Sequence, residues 1–210
     1  MTEIIIVNYN QPELGRRCVQ SVIEHTNPPY HLTLYDNSIE KNNLGKLWNR
    51  LIKQSKADYI CLLNDDTQVE RDWLRKLLEV FNVETNVGAV GPVTNNSSNP
   101  QCQYFPSEKY DVIDFPFVHE GWCLSGFCLI FPKVVFERVG GFPEDFGFYG
   151  QETAFLDKIH RAGFKQLLRK DVFIWHYGSA SANKAESKGE FDKELEKKKS
   201  RERIAELRRQ

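Results

Sequence analysis

The chain contains no apolar run long enough to cross a membrane, and it opens directly on a strand-like segment. A membrane-spanning protein is therefore not expected. A cytoplasmic one is, with peripheral contact at the cytosolic membrane face left open. An excess of either charge is missing too: the formal net charge is −1, so the overall balance gives no reason to expect nucleic acid as a partner. The five cysteines (Cys18, Cys61, Cys102, Cys123 and Cys128) are odd in number and contain no CxxC pair. That disfavours a disulfide framework and a thiolate metal site, and reduced core thiols are expected. No internal repeat is present, and no Gly-rich, Lys- or Arg-bearing loop follows the first apolar segment. What remains is 210 residues at 40% hydrophobic and 27% charged, enough for one sizeable domain with a real core.

Apolar runs alternate with helical stripes. Residues 3–9 read as a buried strand, and Pro12 opens a helix that runs to about His25, before the Asn27-Pro28-Pro29 break. Residues 31–36 suggest a second strand. Leu44, Leu47, Trp48, Leu51 and Ile52 then form a helical stripe. Residues 59–63 are a continuous apolar run expected in a sheet interior. Thr67-Gln-Val-Glu70 has the spacing of a capping box and predicts a helix bearing Trp73, Leu74, Leu77, Leu78 and Phe81, followed by a strand over 87–93. This β-α-β-α-β-α-β order argues for a mostly parallel, helix-covered sheet.

The pattern changes at residue 94. Residues 94–111 read as polar loop, and 123–131 as a strand. A short helix ends at Gly140-Gly141, and an irregular aromatic stretch leads to a helix from Gln151 to about Ala162. Two last short strands are expected over 164–168 and 172–177. Residues 1–183 are thus read as one domain and 184–210 as a charged, helical tail. The tail carries +3, leaving −4 on the rest. Its thin apolar stripe of Leu195, Ile204 and Leu207 suits a solvated helix, or a homodimer or membrane-surface contact.

The chemistry concentrates where strands end. The run Tyr59–Leu63 stops abruptly at Asn64-Asp65-Asp66. Carboxylates do not tolerate burial without a partner, so they belong at the carboxyl edge of the sheet, where open α/β folds bind ligands. Two acids there suit a divalent cation and a phosphorylated substrate. The plainer alternative is that Asp66 and Thr67 begin the next helix. Asp36-Asn37-Ser38 ends the second strand on the same edge, and Asn8-Tyr9-Asn10 the first. Asp36 can accept from a base or ribose, Tyr9 can stack on a base, and Asn8 or Asn10 can bind the edge of that base, although Asx and Ser residues also simply form turns. Glu152 opens a predicted helix, where the helix dipole alone would account for a carboxylate and a general base is the functional alternative. His176 closes the last strand, as a structural residue or as an additional metal ligand.

These elements, in this order, resemble the family 2 glycosyltransferases of the GT-A fold. The carriers are Ile4-Ile-Ile-Val-Asn-Tyr-Asn10, Asp36-Asn-Ser38, Asn43-Leu-Gly45, Asn64-Asp-Asp66, Gly126 with Gly140-Gly-Phe142, Gly150-Gln-Glu152 and His176. The resemblance implies an α/β, Rossmann-like single domain, a nucleotide-sugar donor (a UDP-sugar above all) and Mn2+ or Mg2+. It assigns donor contacts to Asn8, Tyr9, Asn10, Asp36, Asn37, Asn43, Asn64 and Asp65, and metal ligation to Asp66 and His176. The catalytic base falls on Glu152, preceded by Gln151 where relatives carry an acid. Trp122, Gly126 and Tyr149 are the acceptor-side candidates.

The implied reaction is an inverting glycosyl transfer to a carbohydrate or other hydroxyl acceptor, with Glu152 as base and a metal-stabilised diphosphate leaving group. Two other readings stand beside it. One is a non-catalytic nucleotide-sugar-binding or interaction protein, suggested by Gln151 and the short chain. The other is a sugar-phosphate nucleotidyltransferase, which the missing Gly-rich loop disfavours.

Overall fold

The computed structural model describes every residue except 41–42, 98, 116–122, 179–185, 188, 190–191 and 210. Its first strand, β1 (Thr2–Asn8), is the apolar run read from the sequence, and Ile4, Ile5 and Ile6 are all buried. β1 lies between β2 (Tyr30–Asp36) and β3 (Tyr59–Asn64), parallel to both. Register aligns Asn8 with Asp36 and Val7 with Asn64. The three polar clusters therefore meet at one sheet edge, as the strand-end argument requires.

Beyond β3 the sheet becomes mixed. Among the described residues it has eight strands; with β4 (Thr67–Val69), β5 (Val87–Thr94), β6 (Val112–Asp114), β7 (Cys128–Pro132) and β8 (Lys165–His176), the order is β2-β1-β3-β7-β5-β8-β4, and β6 pairs with β8 off that path. β7 (Cys128–Pro132) runs antiparallel between β3 and β5 (Val87–Thr94). β8 (Lys165–His176) is parallel to β5 and antiparallel to β6 (Val112–Asp114). The α/β architecture is as read. Its parallel pairings are β2-β1-β3 and β5-β8, and the rest are antiparallel.

Alternation along the strands fills two cores. One face packs Ile5 and Leu62 against α2 (Leu44–Gln54), α4 (Lys133–Val139) and α5 (Gln151–Arg161) through Trp48, Phe136 and Phe155. The other packs Ile4, Ile6, Cys61 and Leu63 against α1 (Pro12–His25) and α3 (Trp73–Val83) through Val22, Trp73 and Leu77. Four cysteines are buried and free, as expected of core thiols, whereas Cys102 is free and exposed.

Three local expectations give way to long-range pairing. Thr67-Gln-Val-Glu70 caps no helix: Thr67–Val69 is strand β4, paired with the end of β8. The Thr67 hydroxyl donates to the Asn64 carbonyl at 2.8 Å, and α3 starts only at Trp73, after Asp72 at φ 63°. The β-branched Thr67 and Val69, both buried, suit a strand once β8 offers a partner. The segment read as a strand over 123–131 becomes extended only at Cys128. The two final short strands are one, interrupted by a bulge that shifts the partner register between Arg169 and Phe173.

A buried ion pair holds that bulge. Arg169 is 2% exposed and bonds Asp171 through Nε and, at 3.1 Å, through a terminal nitrogen. It also reaches Glu79 at 3.1 Å and stands 3.9 Å from the Tyr110 ring centroid. In the tail, residues 193–209 form α6 (Lys193–Arg209). Ile204 is 3% exposed and packs with Phe146, Ala154 and Leu207, while Leu195 remains exposed. Replacing Arg169 with Met leaves Asp171 buried without its main partner, and should cost about 3 kcal/mol in urea unfolding. A loss within the range of about 0–1 kcal/mol typical of surface pairs would mean that this pair does not hold the bulge.

Candidate functional site

The ends of β1, β3, β5 and β8 converge on a cleft of about 510 Å3. Asn64, Asp65, Asp66 and His176 line it, and so do Gly126, Tyr149 and Glu152. Tyr9, Asn37 and Asn43 belong to the same lining. Asn8, Asn10 and Asp36 lie just outside it, and Trp122 falls outside the described residues.

Asp65 is fixed by β1. Its Oδ2 accepts from Asn8 Nδ2 at 2.8 Å and from the Tyr9 backbone N–H at 3.3 Å. Asn8 Nδ2 also donates to the Gln11 carbonyl at 2.8 Å, so the expected nucleoside-contacting amide is engaged inside the protein. A Cβ on Gly15 would stand 2.6 Å from that nitrogen, which explains the helical glycine opposite it. Asn10 adopts φ 57°, and its N–H donates to Ser38 Oγ at 2.7 Å. Asp36 is exposed and accepts from the Ser38 N–H at 2.9 Å. The Ser38 hydroxyl and N–H hold its carboxyl below the usual carboxylate range. Asn37 is buried and donates its N–H to the Asn8 carbonyl at 2.8 Å. Asn43 caps α2, accepting from Lys46 N–H at 3.1 Å, and donates to the Phe146 carbonyl.

Asp66 and His176 meet because β4 pairs with β8. Thr67 sits opposite His176, and the Tyr177 N–H donates to the Asp66 carbonyl at 2.9 Å. His176 Nε2 then lies 3.2 Å from Asp66 Oδ1. On its other side, Nδ1 is 2.7 Å from the Asn96 carbonyl, which can only accept, so Nδ1 carries a proton and Nε2 is turned to Asp66. Asn95 brackets the His176 backbone at 2.8 and 3.1 Å, and Phe127 stacks on the ring at 5.1 Å. Burial works against the imidazolium, but the Asp66 carboxylate, the Asn96 carbonyl and Asp65 outweigh it, and the His176 pKa is raised. Asn95 and Asn96 were read from the sequence only as polar loop. Their one signal is their place directly after β5.

Glu152 occupies the first turn of α5, behind Gly150 at φ 100°. It lies across Gly126, where an added Cβ would stand 2.8 Å from Glu152 Cγ. Burial pushes its carboxyl above the ordinary glutamate value. The same effect, reinforced by Glu186, Glu152 and Glu194, pushes Tyr149 up to about 12. Beneath this side, buried Gln101 donates to the Pro92 carbonyl at 2.7 Å and accepts from the Ser125 N–H at 2.6 Å, setting the backbone just before Gly126. Gln151 is fully buried and donates to the Gly147 carbonyl at 2.6 Å, a bond that an ionised acid could not make.

Among the described residues, no group of three or more His, Cys, Asp or Glu side chains forms a closed metal site. Asp66 and His176 nevertheless suit a divalent ion shared with a substrate's phosphates. Two ligands at about 2.1 Å on adjacent corners of an octahedron lie about 3 Å apart, close to the 3.2 Å seen here. The Asn96 contact supplies the outer hydrogen bond that orients a ligating imidazole.

A family model described as glycosyl transferase family 2 matches residues 38–174. Solved structures share the fold at low identity. One is GalNAc-T7 with UDP, GalNAc and Mn2+, at 12% identity and TM-score 0.66, covering 84% of this chain and 43% of that one. Another is the mannosyltransferase PcManGT from Pyrobaculum calidifontis with GDP-Man and Mn2+, at 17% and 0.63, covering 83% and 56%. A third is S. aureus TarS 1-349, at 13% and 0.60, covering 83% and 60%. This chain thus spans roughly half the length of these structures. No curated protein matches it.

The raised Glu152 pKa has a thermodynamic sign. A carboxyl whose folded-state pKa lies above its unfolded value of about 4.3 contributes stability below that value and loses it as pH rises through the folded pKa. Glu152→Gln should therefore melt at a higher temperature than the parent at pH 8, and the advantage should disappear on acidification. Calorimetry across pH checks this; equal melting temperatures at pH 8 would mean that the ionised carboxylate is not penalised.

Proposed function

Because the chain belongs to glycosyl transferase family 2, we propose that its cleft binds a nucleotide-diphosphate sugar and transfers the sugar, with inversion, to a hydroxyl acceptor. The observation that carries this reading is the cleft itself. It has Asp66 facing His176 among one set of lining residues and half-buried Glu152 among another. The first set suits a cation and a diphosphate, and Glu152 suits proton removal.

In this reading the nucleoside lies along the ends of β1 and β2, where Tyr9 can stack on the base and Asp36 can accept from base or ribose. Asn37 and Asn43 border that end of the cleft, and Asn10 shapes it through Ser38. Asn64 and Asp65 orient the ribose or sugar, with Asn8 holding Asp65 in place. Asp66 and His176 would hold Mn2+ or Mg2+, which when bound would neutralise charge on the diphosphate leaving group. Glu152 takes the proton of the acceptor hydroxyl as that oxygen bonds to the anomeric carbon and the bond to the diphosphate breaks. Its raised pKa fits a base that must hold a proton once the hydroxyl has reacted. Gly126 and Tyr149 border the acceptor. UDP is the preferred nucleotide of this proposal. The Gln151 hydrogen bond to Gly147 gives that residue a structural reason to be neutral, so its presence does not favour a non-catalytic binder.

A panel of UDP-, GDP- and dTDP-sugars with Mn2+ and Mg2+ tests the reading through binding and donor hydrolysis. Glu152→Gln should keep donor affinity and lose about 10²–10⁴-fold in transfer rate. Near-normal turnover would remove Glu152 from the mechanism. Asp66→Ala should weaken UDP binding only when metal is present. Equal affinity with and without metal in the parent protein would count against the cation.

A further inference from the structure

The charged segment 193–209 docks against the back of the cleft wall. Five residues of the wall meet α6 in turn. Arg203 Nε donates to Asp145 at 2.7 Å. Ile204 packs on Phe146. Glu196 accepts from the Phe148 N–H at 3.3 Å while Lys199 holds its other oxygen at 3.1 Å. Added Cβ atoms on Gly147 and Gly150 would stand 1.9 Å from Glu196 Oε2 and 2.0 Å from Ser200 Oγ. A side chain at 147 would displace the Glu196 carboxylate, and Gly150, at φ 100°, is where a side chain would also be strained.

The same stretch, through Gly147, Phe148 and Tyr149, lines the cleft, and Glu152 follows within one helical turn. A wall with two glycines has much backbone freedom to lose on ordering. Within the domain, Asn43 donates to the Phe146 carbonyl, Gln151 donates to the Gly147 carbonyl, and the Tyr9 ring meets Phe148 edge-on at 6.3 Å. α6 adds its own set of restraints, through Glu196, Arg203 and Ile204. Further contacts anchor the helix to α5 itself: Arg208 reaches Asp157 at 3.2 Å, and Arg161 donates to the Leu207 carbonyl at 3.1 Å.

We infer that α6 is a clamp that sets the acceptor wall, with Glu196 as its positioning residue: Glu196 holds the Phe148 backbone, and through it the Phe148–Tyr149 face, beside Glu152. The acceptor role of the wall rests on the glycosyl-transfer reading; the clamp itself does not. The Asp65–Asp66 end of the cleft hangs on β1, β3 and β8 and meets the wall only at its margin, through Tyr9 and Asn43 among the described contacts, so loss of the clamp should disturb acceptor use far more than nucleotide binding.

The test uses the full chain carrying Glu196→Ala or Glu196→Gln, with amide exchange read by mass spectrometry and UDP binding measured with Mn2+. In Glu196→Ala, exchange over residues 145–150 should quicken about tenfold, and the acceptor KM should rise by a similar factor, the equivalent of one lost hydrogen bond to a charged group. Glu196→Gln, whose side-chain carbonyl still accepts, should restore both. Exchange in β1, β3 and β5 should match the parent, and the affinity for UDP should fall by much less than the acceptor KM rises. Unchanged exchange at 145–150 in Glu196→Ala would overturn the clamp. So would faster exchange across the whole chain, or a loss of UDP affinity as large as the rise in acceptor KM. Failure of the parent protein to bind UDP would sink the nucleotide-sugar reading, and the exchange result would still decide on the clamp.

Discussion

Thr67 pairs with His176, and on that three-residue ladder the arrangement of the site depends. The chain leaves β3 at Asn64, turns through Asp65 and Asp66, and at once becomes an edge strand against the end of β8. The turn cannot drift, because the Tyr177 N–H holds the Asp66 carbonyl and the Thr67 hydroxyl holds that of Asn64. β8 in turn runs beside β5, whose exit supplies Asn95 and Asn96 to grip His176. Three chain exits, far apart in sequence, are thus locked into one geometry by backbone pairing. Were Thr67–Glu70 the start of a helix, Asp66 would lose its histidine neighbour.

That dependence explains what could and could not be read from the residues alone. The buried runs of β1 and β3, the Pro12 start of α1 and the stripe of α2 are local signals, and each stands within a residue or so of its expected place. The common edge of Asn8, Asp36 and Asn64 was legible as well, because parallel strands joined by helices bring their carboxyl ends together. β4 was not legible: Thr and Glu at capping-box spacing fit a helix start as well as a strand, and only β8, a hundred residues on, decides between them. The insertion of β7 between β3 and β5, and the bulge that keeps β8 a single strand, depend on long-range partners in the same way. Asn95 and Asn96 looked like loop because their work is done on the backbone and ring of a distant histidine.

The tail is the complementary case. Its composition suggested a solvated helix, since three apolar residues make a thin stripe. In the structure, charge and close approach make up much of the docking: Arg203 with Asp145, Arg208 with Asp157, and Glu196 with the Phe148 N–H. A hydrophobic pattern cannot report such contacts. Gly147 and Gly150 stand where Glu196 and Ser200 of α6 come against the wall.

The two acids of the Asn64-Asp65-Asp66 run are divided by their surroundings. Both are nearly inaccessible, at 5% and 3% exposure, and buried carboxylates need compensation. Asp65 receives it from β1, through a side-chain amide and a backbone N–H, and so ties two strand ends together. Asp66 faces an imidazole whose other nitrogen is already held by a carbonyl, an arrangement that favours positive charge between or on the pair. Glu152 is left with burial acting against its charge. A fold selected for stability alone would not keep an ionisable group at position 152, since a neutral isostere would remove that penalty. The cost falls on Glu152, which the cleft presents to a ligand, whereas Asn8 and Asp36, just outside its lining, are held by hydrogen bonds. The uneven distribution of compensation, read residue by residue, separates the side chains that build the cleft from those suited to act in it.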